Sequence, residues 1–199
     1  MAVSLEKGQR ISLTKSNGGG LTKVRMGLGW DPAPAKKTGF FGSLFGGGGA
    51  DDIDLDSSCL LLDAQKSLLD VVWFRQLESR DGSIHHSGDN LTGEGQGDDE
   101  VIYVDLTRLP SSVQHLAFTV CSFRGQTFNE VGGAFCRLVD DTNNAELARY
   151  NLSEQGSHTG VVMAIVSRDG NGGWQMKAVG APSQGAIAND MMPAVIAAL

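Results

Sequence analysis

Residues 161–179 read VVMAIVSRDGNGGWQMKAV, in which two apolar segments flank a turn that is rich in glycine. Residues 161–167 and 174–179 have the composition of strands, whereas residues 168–173 have the composition of a turn. Two strand-like segments joined by so short a turn predict a hairpin of antiparallel strands. This hairpin predicts an antiparallel β fold.

Further segments of the chain have the same strand-like composition, and turn residues rather than long helices separate them. These segments are 3–13, 21–30, 53–63, 71–78, 101–106 and 116–123. The first two are predicted to pair as a hairpin, and short helices are predicted at 109–115, near 128–131 and at 187–199. Together these patterns predict an all-β-dominated fold, an antiparallel β-sandwich with a few short helices and a C-terminal helix, in one domain over residues 1–199.

Residues 31–50 differ in character from the predicted strands on either side. They include two prolines, several phenylalanines and four consecutive glycines at 46–49. Such a glycine run forms neither a stable helix nor a stable strand, so we expect a flexible insert in the domain. Phe40, Phe41 and Phe45 have two interpretations that the sequence leaves open. They form either a contact surface or a cover for the sandwich.

The charge of the chain limits the partners that it can have. There are 16 Lys and Arg residues and 23 Asp and Glu residues, which gives a formal net charge of −7. Nucleic-acid binding needs a basic stripe, and the basic residues here are scattered along the chain. We therefore expect no nucleic-acid partner.

The apolar segments are too short for a transmembrane helix, which needs about 20 consecutive apolar residues. The first residues carry early charges and no apolar core of a secretory signal. We therefore expect a cytoplasmic protein without a transmembrane segment. Cys59, Cys121 and Cys136 are odd in number and lie in apolar segments, which predicts reduced, buried thiols.

Residues 87–100, SGDNLTGEGQGDDE, hold one of the two acidic clusters of the chain. Glycines at 93, 95 and 97 would let backbone carbonyls turn inward, while carboxylates and polar side chains supply further oxygens. Calcium binds about six to eight oxygen ligands and tolerates irregular geometry, whereas magnesium prefers a tight octahedron. This segment therefore predicts a calcium site.

The other acidic cluster lies at the start of a predicted strand. Asp52, Asp54 and Asp56 alternate with aliphatic residues, so their side chains would share one face of that strand. If this face meets residues 89–100, carboxylates from distant parts of the chain form one or two cation sites.

Several short motifs in their order along the chain resemble the TerD-domain family of tellurite-resistance proteins, and Phe40 and Phe41 suggest its TerZ branch. The motifs are GLGWD at 27–31, IDLDSS at 53–58, SGDNLTGEG at 87–95, GDDE at 97–100 and SFRGQTF at 122–128. The resemblance implies a bacterial cytoplasmic β-sandwich that binds calcium and acts in tellurite and general stress resistance. It also implies that the protein works with other Ter proteins at the inner face of the membrane. Gln96 departs from the family pattern, which often has an acid there.

The leading hypothesis is a non-enzymatic protein that binds calcium, with two ions held by the acidic segments. The candidate ligands supply carboxylate, side-chain or carbonyl oxygens, and they are Asp54, Asp56, Asp89, Asn90, Thr92, Glu94, Gly95, Gly97, Asp98, Asp99 and Glu100. Two alternatives remain open at this point. One is a hydrolase that uses the same acidic cage to hold a catalytic metal ion. The other is an interaction scaffold whose acidic loops dock a partner without any metal.

His85 and His86 directly precede the acidic segment 87–100. Neighbouring residues on a strand face opposite sides, so at most one of the two imidazoles would reach a site shared with the acids. A pair of surface histidines is the simpler interpretation.

Overall fold

The computed structural model describes residues 2–14, 20–32, 54–90, 97–152 and 155–199. Most of the predicted insert at 31–50, with Phe40, Phe41 and Phe45, lies outside these ranges. The predicted ligands Thr92, Glu94 and Gly95 also lie outside them.

The described residues form mostly strands, which are followed by a short helical segment at the end of the chain. The strands are β1 (Val3–Ser4), β2 (Arg10–Ser12), β3 (Lys23–Pro32), β4 (Leu55–Leu62), β5 (Leu68–Val72), β6 (Ile84–His86), β7 (Glu100–Asp105), β8 (His115–Ser122), β9 (Val131–Asp140), β10 (Ala145–Leu152), β11 (Gly160–Arg168) and β12 (Trp174–Ser183). A 3-10 turn at Ala188–Met191 leads into helix α1 (Met192–Ala198). The predicted C-terminal helix at 187–199 is therefore confirmed.

The strands form two six-stranded sheets. Sheet I has the order β1-β10-β9-β3-β7-β6, and sheet II has the order β2-β12-β11-β8-β4-β5. Neighbouring strands among the described residues run antiparallel except for β1 and β10, which are parallel. The predicted hairpin at 161–179 is β11 with β12, where Arg168 faces Trp174 across the turn. The predicted β-sandwich is confirmed.

The central strands of sheet II, β4, β8 and β11, are buried on both faces, which accounts for the apolar run at the end of β4. Leu61 packs in the core between the two sheets, because odd-numbered residues of β4 face sheet I. Leu60 and Leu62 point the other way and pack in a second core with Met191 and Val195. A strand covered on both faces has no polar side, so it reads as a continuous apolar segment.

The predicted hairpin between residues 3–13 and 21–30 is present only at its turn, where Thr14 and Gly20 form an antiparallel bridge, and its pairing of two long strands is wrong. Strand β2 pairs with β12 at the edge of sheet II, whereas β3 lies inside sheet I between β7 and β9. The physical reason is the ten-residue length of β3, whose two edges are satisfied by longer strands than β2 offers.

The helix predicted at 109–115 is also wrong, since these residues form turns that lead into β8. Arg168 explains why no helix is needed here. Its guanidinium donates hydrogen bonds to the carbonyl oxygens of Leu109, Pro110 and Val113. Carbonyls that a helix would satisfy internally are thus satisfied by a side chain from β11.

Strands β9 and β10 were not predicted. Ala134, Cys136 and Leu138 of β9 face the core, and Phe135 and Arg137 between them face outward. The alternation that marks a half-buried strand is therefore present in the sequence, but small residues weaken it. Within the described ranges, no helix has the length and apolar character needed to cross a membrane.

Candidate metal centre

Three carboxylates meet at the end of the sandwich where β4 begins and β6 has ended. Asp54 precedes β4, Asp56 is the second residue of β4, and Asp89 follows β6. One carboxylate oxygen from each of the three lies within 4.8 Å of the others. Oxygens bound to one calcium ion are separated by at most about 5 Å, so these three could share a single ion.

Two buried oxygens of this group have no hydrogen-bond partner among the residues that the structure describes. They are Oδ1 of Asp54 and Oδ2 of Asp56, and each of these residues is only 6 % exposed. A buried carboxylate oxygen without a donor is costly, and a bound cation removes that cost. The donor set of this group fits a hard divalent cation, because it consists of oxygens and contains no thiolate.

The electrostatic environment of the group favours protonation while no cation is bound. Burial raises the pKa of Asp56 from 3.8 to about 7, and the charges of Glu100, Asp54 and Asp89 add to this rise. The pKa of Asp89 is raised as well, first by burial and then by Glu100 and Asp54. Both shifts show that negative charges are crowded together here, around Asp56, which is buried, and Asp89, which is exposed.

Arg124 provides partial neutralisation of the group. Its Nε lies 2.9 Å from Oδ2 of Asp54, and its side chain is 55 % exposed. Because the guanidinium lies largely in solvent, it contributes less than a buried cation would. Arg124 comes from the turn after β8, so this ion pair links the turn to the start of β4.

Glu100 is fully buried at the start of β7 and joins the two sheets beside the group. Its Oε2 accepts the backbone N–H of Ser57 at 2.8 Å, and its Oε1 accepts the backbone N–H of Asn90 at 3.1 Å. Glu100 therefore fixes the start of β4 and the chain after Asp89 relative to each other.

His86 is fully buried, and it supports Glu100 from the neighbouring strand. The backbone N–H of Gly88 donates to Nδ1 at 3.0 Å, so the ring proton is on Nε2. Nε2 lies 2.9 Å from Oγ of Ser57 and 3.3 Å from Oε2 of Glu100. His85 faces outward and stacks on Tyr103. The prediction that the two histidines face opposite sides is confirmed, and the interpretation of both as surface residues is wrong for His86.

Asp99 and Asn90 lie beside the group, and Asp99 is hydrogen-bonded to β3. Oδ2 of Asp99 accepts the backbone N–H of Trp30 at 2.7 Å, and the side-chain amide of Asn90 donates to Oδ1 of Asp99 at 3.3 Å. The backbone N–H of Asp99 donates to the carbonyl of Leu28. Residues 97–99 are thereby fixed against β3.

Asp98 points away from the three clustered carboxylates and lies on the outer face of sheet I. Its two oxygens accept hydrogen bonds from Nε and Nη2 of Arg137, at 2.6 and 2.9 Å. Arg137 also pairs with Glu146, which pairs with Arg149 in turn. This bidentate ion pair gives the carboxylate of Asp98 a partner other than the candidate cation.

The absence of a side chain at Gly27 makes the position of Asp98 possible. Gly27 faces Arg137 across the β3–β9 pair, and a Cβ added there would overlap the carboxylate group of Asp98. Gly29 likewise allows Gly97 to approach β3, since a Cβ added at Gly29 would lie 2.9 Å from the carbonyl oxygen of Gly97. The glycines of the GLGW motif therefore leave the space in which residues 97–99 pack against β3.

Replacement of Gly27 by Ala is expected to destabilise the protein by about 2 kcal/mol, because the added methyl group displaces Asp98 from Arg137. Chemical denaturation would measure this loss. Gly20→Ala is the matched control, because a Cβ at Gly20 meets nothing within 4 Å. In an Asp98→Ala background the same Gly27→Ala change should cost little. An equal cost in both backgrounds would contradict the role of Asp98.

The stability of the metal-free protein is expected to fall as the pH rises from about 4 to about 7. The folded-state pKa of Asp56, about 7, lies above its unfolded value of 3.8. The folded state therefore binds more protons than the unfolded state in this window, and the free energy of unfolding falls by on the order of 2–3 kcal/mol. Urea unfolding of metal-stripped protein at several pH values tests this. The Asp56→Asn variant should show a flatter profile, and an unchanged profile in that variant would contradict the assignment.

Of the predicted ligands in the described ranges, the structure brings together Asp54, Asp56 and Asp89, with Glu100 beside them. It gives Asp98, Asp99 and Asn90 other partners, and Gly97 lies against Gly29. Sequence reasoning missed Arg137 because its strand was missed. It also missed Ser57 and His86 as supports of Glu100, although the opposite facing of His85 and His86 on a strand was a usable signal.

Cys59, Cys121 and Cys136 are all buried and unpaired with one another, as predicted. Burial raises the pKa of the Cys59 thiol far above its usual range, and raises those of Cys121 and Cys136 to about 12. These thiols behave as small apolar side chains of the core.

Comparison with known proteins gives the fold and this site a family context. The family model described as the TerD domain matches residues 1–191. The chain belongs to the TerD family. The TerD model therefore covers both the glycines of β3 that contact residues 97–99 and the three clustered carboxylates.

Two named relatives in the TerD family are similar over nearly the whole chain. Tellurium resistance protein TerZ of Serratia marcescens is 53 % identical over 197 residues, which cover 99 % of this chain and 98 % of that protein. Stress response protein SCP2 of Bacillus subtilis (strain 168) is 44 % identical, with 90 % and 92 % covered. A solved structure of a homologue of telluride resistance protein from Streptomyces coelicolor A3(2) superposes with a TM-score of 0.65 at 23 % identity, over 83 % of this chain and 92 % of that one. That structure shares the fold.

Proposed function

We propose that this protein is a non-enzymatic calcium-binding member of the TerD family that acts in tellurium and stress resistance. The observation that carries the proposal is the pair of buried carboxylate oxygens, on Asp54 and Asp56, for which no described residue supplies a donor. The names of its relatives, a tellurium resistance protein and a stress response protein, support the physiological context.

The chemistry of the group favours calcium over other metals. Three carboxylates that meet within 4.8 Å supply hard oxygen ligands, and each is able to bind through one or two oxygens. Calcium accepts such an irregular, oxygen-only shell, whereas zinc and copper prefer nitrogen and sulfur ligands. The remaining ligands would come from water or from the predicted ligands Thr92, Glu94 and Gly95. A second ion belongs to the same proposal, and the stoichiometry of binding tests it.

In this proposal each neighbouring residue has a defined task. Asp54, Asp56 and Asp89 hold the ion. The carboxylate of Asp54 would contact both the ion and Arg124. Glu100 and His86 keep β4 and the chain after β6 at the spacing that the ion requires. A bound ion would therefore join the start of β4 to the segment after β6, which are parts of the chain far apart in sequence.

A hydrolase would need a base next to water on the same ion. His86 is the nearest imidazole, and both of its ring nitrogens already have partners in Gly88 and Ser57. Its complete burial also keeps it from water. These contacts favour binding without catalysis.

Calorimetric titration of the metal-stripped protein with calcium tests the proposal directly. We expect saturable binding to calcium and much weaker binding to magnesium, with no turnover of a phosphoester substrate in the presence of Ca²⁺, Mg²⁺ or Mn²⁺. Absence of calcium binding would contradict the proposed cation site. Metal-dependent turnover that Asp54→Asn abolishes would favour the hydrolase instead.

The TerD family context extends the proposal to partners and location. We propose a cytoplasmic protein that works with other Ter-family proteins, which would hold it at the inner face of the membrane. Co-purification of a tagged chain with its Ter partners, with and without calcium, tests this. The same partners recovered with an unrelated tagged protein would contradict it.

A further inference from the structure

A group of aromatic side chains surrounds one arginine at the edge of sheet II. Trp73 and Phe74 follow β5, and Phe123 lies in the turn after β8. The ring centroids of Trp73 and Phe74 are 5.0 Å apart, and those of Phe74 and Phe123 are 6.1 Å apart. Arg75 lies over all three rings. We call these four residues the aromatic surface.

The guanidinium of Arg75 contacts the three rings, and its N–H groups donate to no residue that the structure describes. Its Cζ lies 5.5, 5.2 and 5.5 Å from the centroids of Trp73, Phe74 and Phe123. Across the ranges that the structure describes, it forms no ion pair or side-chain hydrogen bond. Contact with three rings restricts the position of the guanidinium, and its N–H groups keep the fork geometry that matches a carboxylate.

Phe123 is unusually exposed for an aromatic residue on a well-defined turn. It is 46 % exposed. The turn is fixed by Ser122, whose Oγ accepts the backbone N–H of Gln126 and donates to its side-chain oxygen. The ring is thus presented to solvent by a backbone that is already ordered, so a partner would not have to order it on binding.

We propose that the aromatic surface is a docking site for an acidic peptide segment of a partner protein. A carboxylate of the segment would pair with the N–H groups of Arg75, and an apolar side chain next to it would cover Phe123. Charge complementarity supports this choice, since an exposed guanidinium with unused donors matches a carboxylate. Tryptophan and arginine at the centre of a surface patch are also typical of residues that dominate binding energy.

The neighbouring charges favour a peptide over an anionic bilayer. Arg124 follows Phe123 directly, and it is already paired with Asp54 of the acidic group. A bilayer is a continuous plane of negative charge, so it would also meet Asp54 and Asp89 beside the aromatic surface. A peptide segment contacts the aromatic surface alone and avoids that repulsion.

The probe for the test is a short fluorescein-labelled peptide of alternating glutamate and phenylalanine, with a lysine–phenylalanine peptide as its opposite-charge control. Binding is measured by fluorescein anisotropy and by the change in tryptophan emission on adding peptide. That change reports Trp73, because Trp30 and Trp174 are buried away from the peptide. We expect the acidic peptide to bind and Arg75→Gln to weaken binding about tenfold. Arg10→Gln is the charge-matched control, because Arg10 is exposed on β2 at the opposite edge of sheet II.

The measurement is made on metal-stripped and on calcium-loaded protein, and binding is expected in both. The inference is therefore tested separately from the proposed calcium site. Equal losses in Arg75→Gln and Arg10→Gln, or equal binding of the lysine peptide, would overturn it. Binding to vesicles of anionic lipid that Arg75→Gln removes, without peptide binding, would assign the surface to a membrane. A dimer that Arg75→Gln dissociates would assign it to a second copy of the chain.

Discussion

Addition of calcium to the metal-stripped protein is expected to raise its melting temperature by roughly 5–10 °C. A ligand that binds only the folded state adds about 2.7 kcal/mol of stability when its free concentration is 100 times its dissociation constant. For a chain of this size, each kcal/mol corresponds to about 2–4 °C. The effect is large because the ion also relieves the repulsion among Asp54, Asp56 and Asp89.

Differential scanning calorimetry across a calcium series measures this shift. Magnesium at the same concentration and ionic strength is the control, since a general screening effect of divalent ions would give equal shifts. A protein whose melting temperature is unchanged at about millimolar calcium would rule out the proposed site.

The double variant Asp54→Asn with Asp56→Asn is expected to change stability in opposite directions with and without calcium. In metal-free protein it should be more stable than the natural chain by on the order of 2 kcal/mol at neutral pH. The buried charge of Asp54 disappears, as does the charged form of Asp56, and the raised pKa of Asp56 indicates how unfavourable that charged form is. In the presence of calcium the variant should gain nothing from the ion.

Glu6→Gln with Glu78→Gln is the matched control, because both residues are exposed and the same charge is removed. This control should leave the calcium response intact. If the two double variants behave alike, the repulsion is a property of the net charge and not of the acidic group. Chemical denaturation with and without calcium distinguishes these results.

The sequence predicted the elements whose local pattern matches their final environment. The β11–β12 hairpin has strong strand composition on both sides of a glycine-rich turn, and the apolar end of β4 matches its burial on both faces. The predicted pairing of the first two segments is wrong because local composition does not indicate which distant strand a segment pairs with. Strand β3 pairs with β9 and β7, and β2 pairs with β12.

The candidate site was predictable where alternation and spacing carry the information. Asp54 and Asp56 share a face because they are two residues apart on an extended chain, and Asp89 meets them as expected. The different placement of Asp98 could not be predicted, since it depends on Arg137 of β9 and on the space that Gly27, which has no side chain, leaves for the Asp98 carboxylate. Neither the strand nor that space has a signal within the acidic segment itself.

The burial of all three cysteines bears on how a folded TerD-family chain of this kind meets reactive oxyanions. Reduction of such an oxyanion by a protein begins with attack by an accessible thiolate. Cys59, Cys121 and Cys136 are the only cysteines of the chain, and each is both shielded and held in the thiol form. The folded protein is therefore a poor sacrificial reductant. Its three thiols should therefore remain reduced when the folded protein is exposed to such an oxyanion.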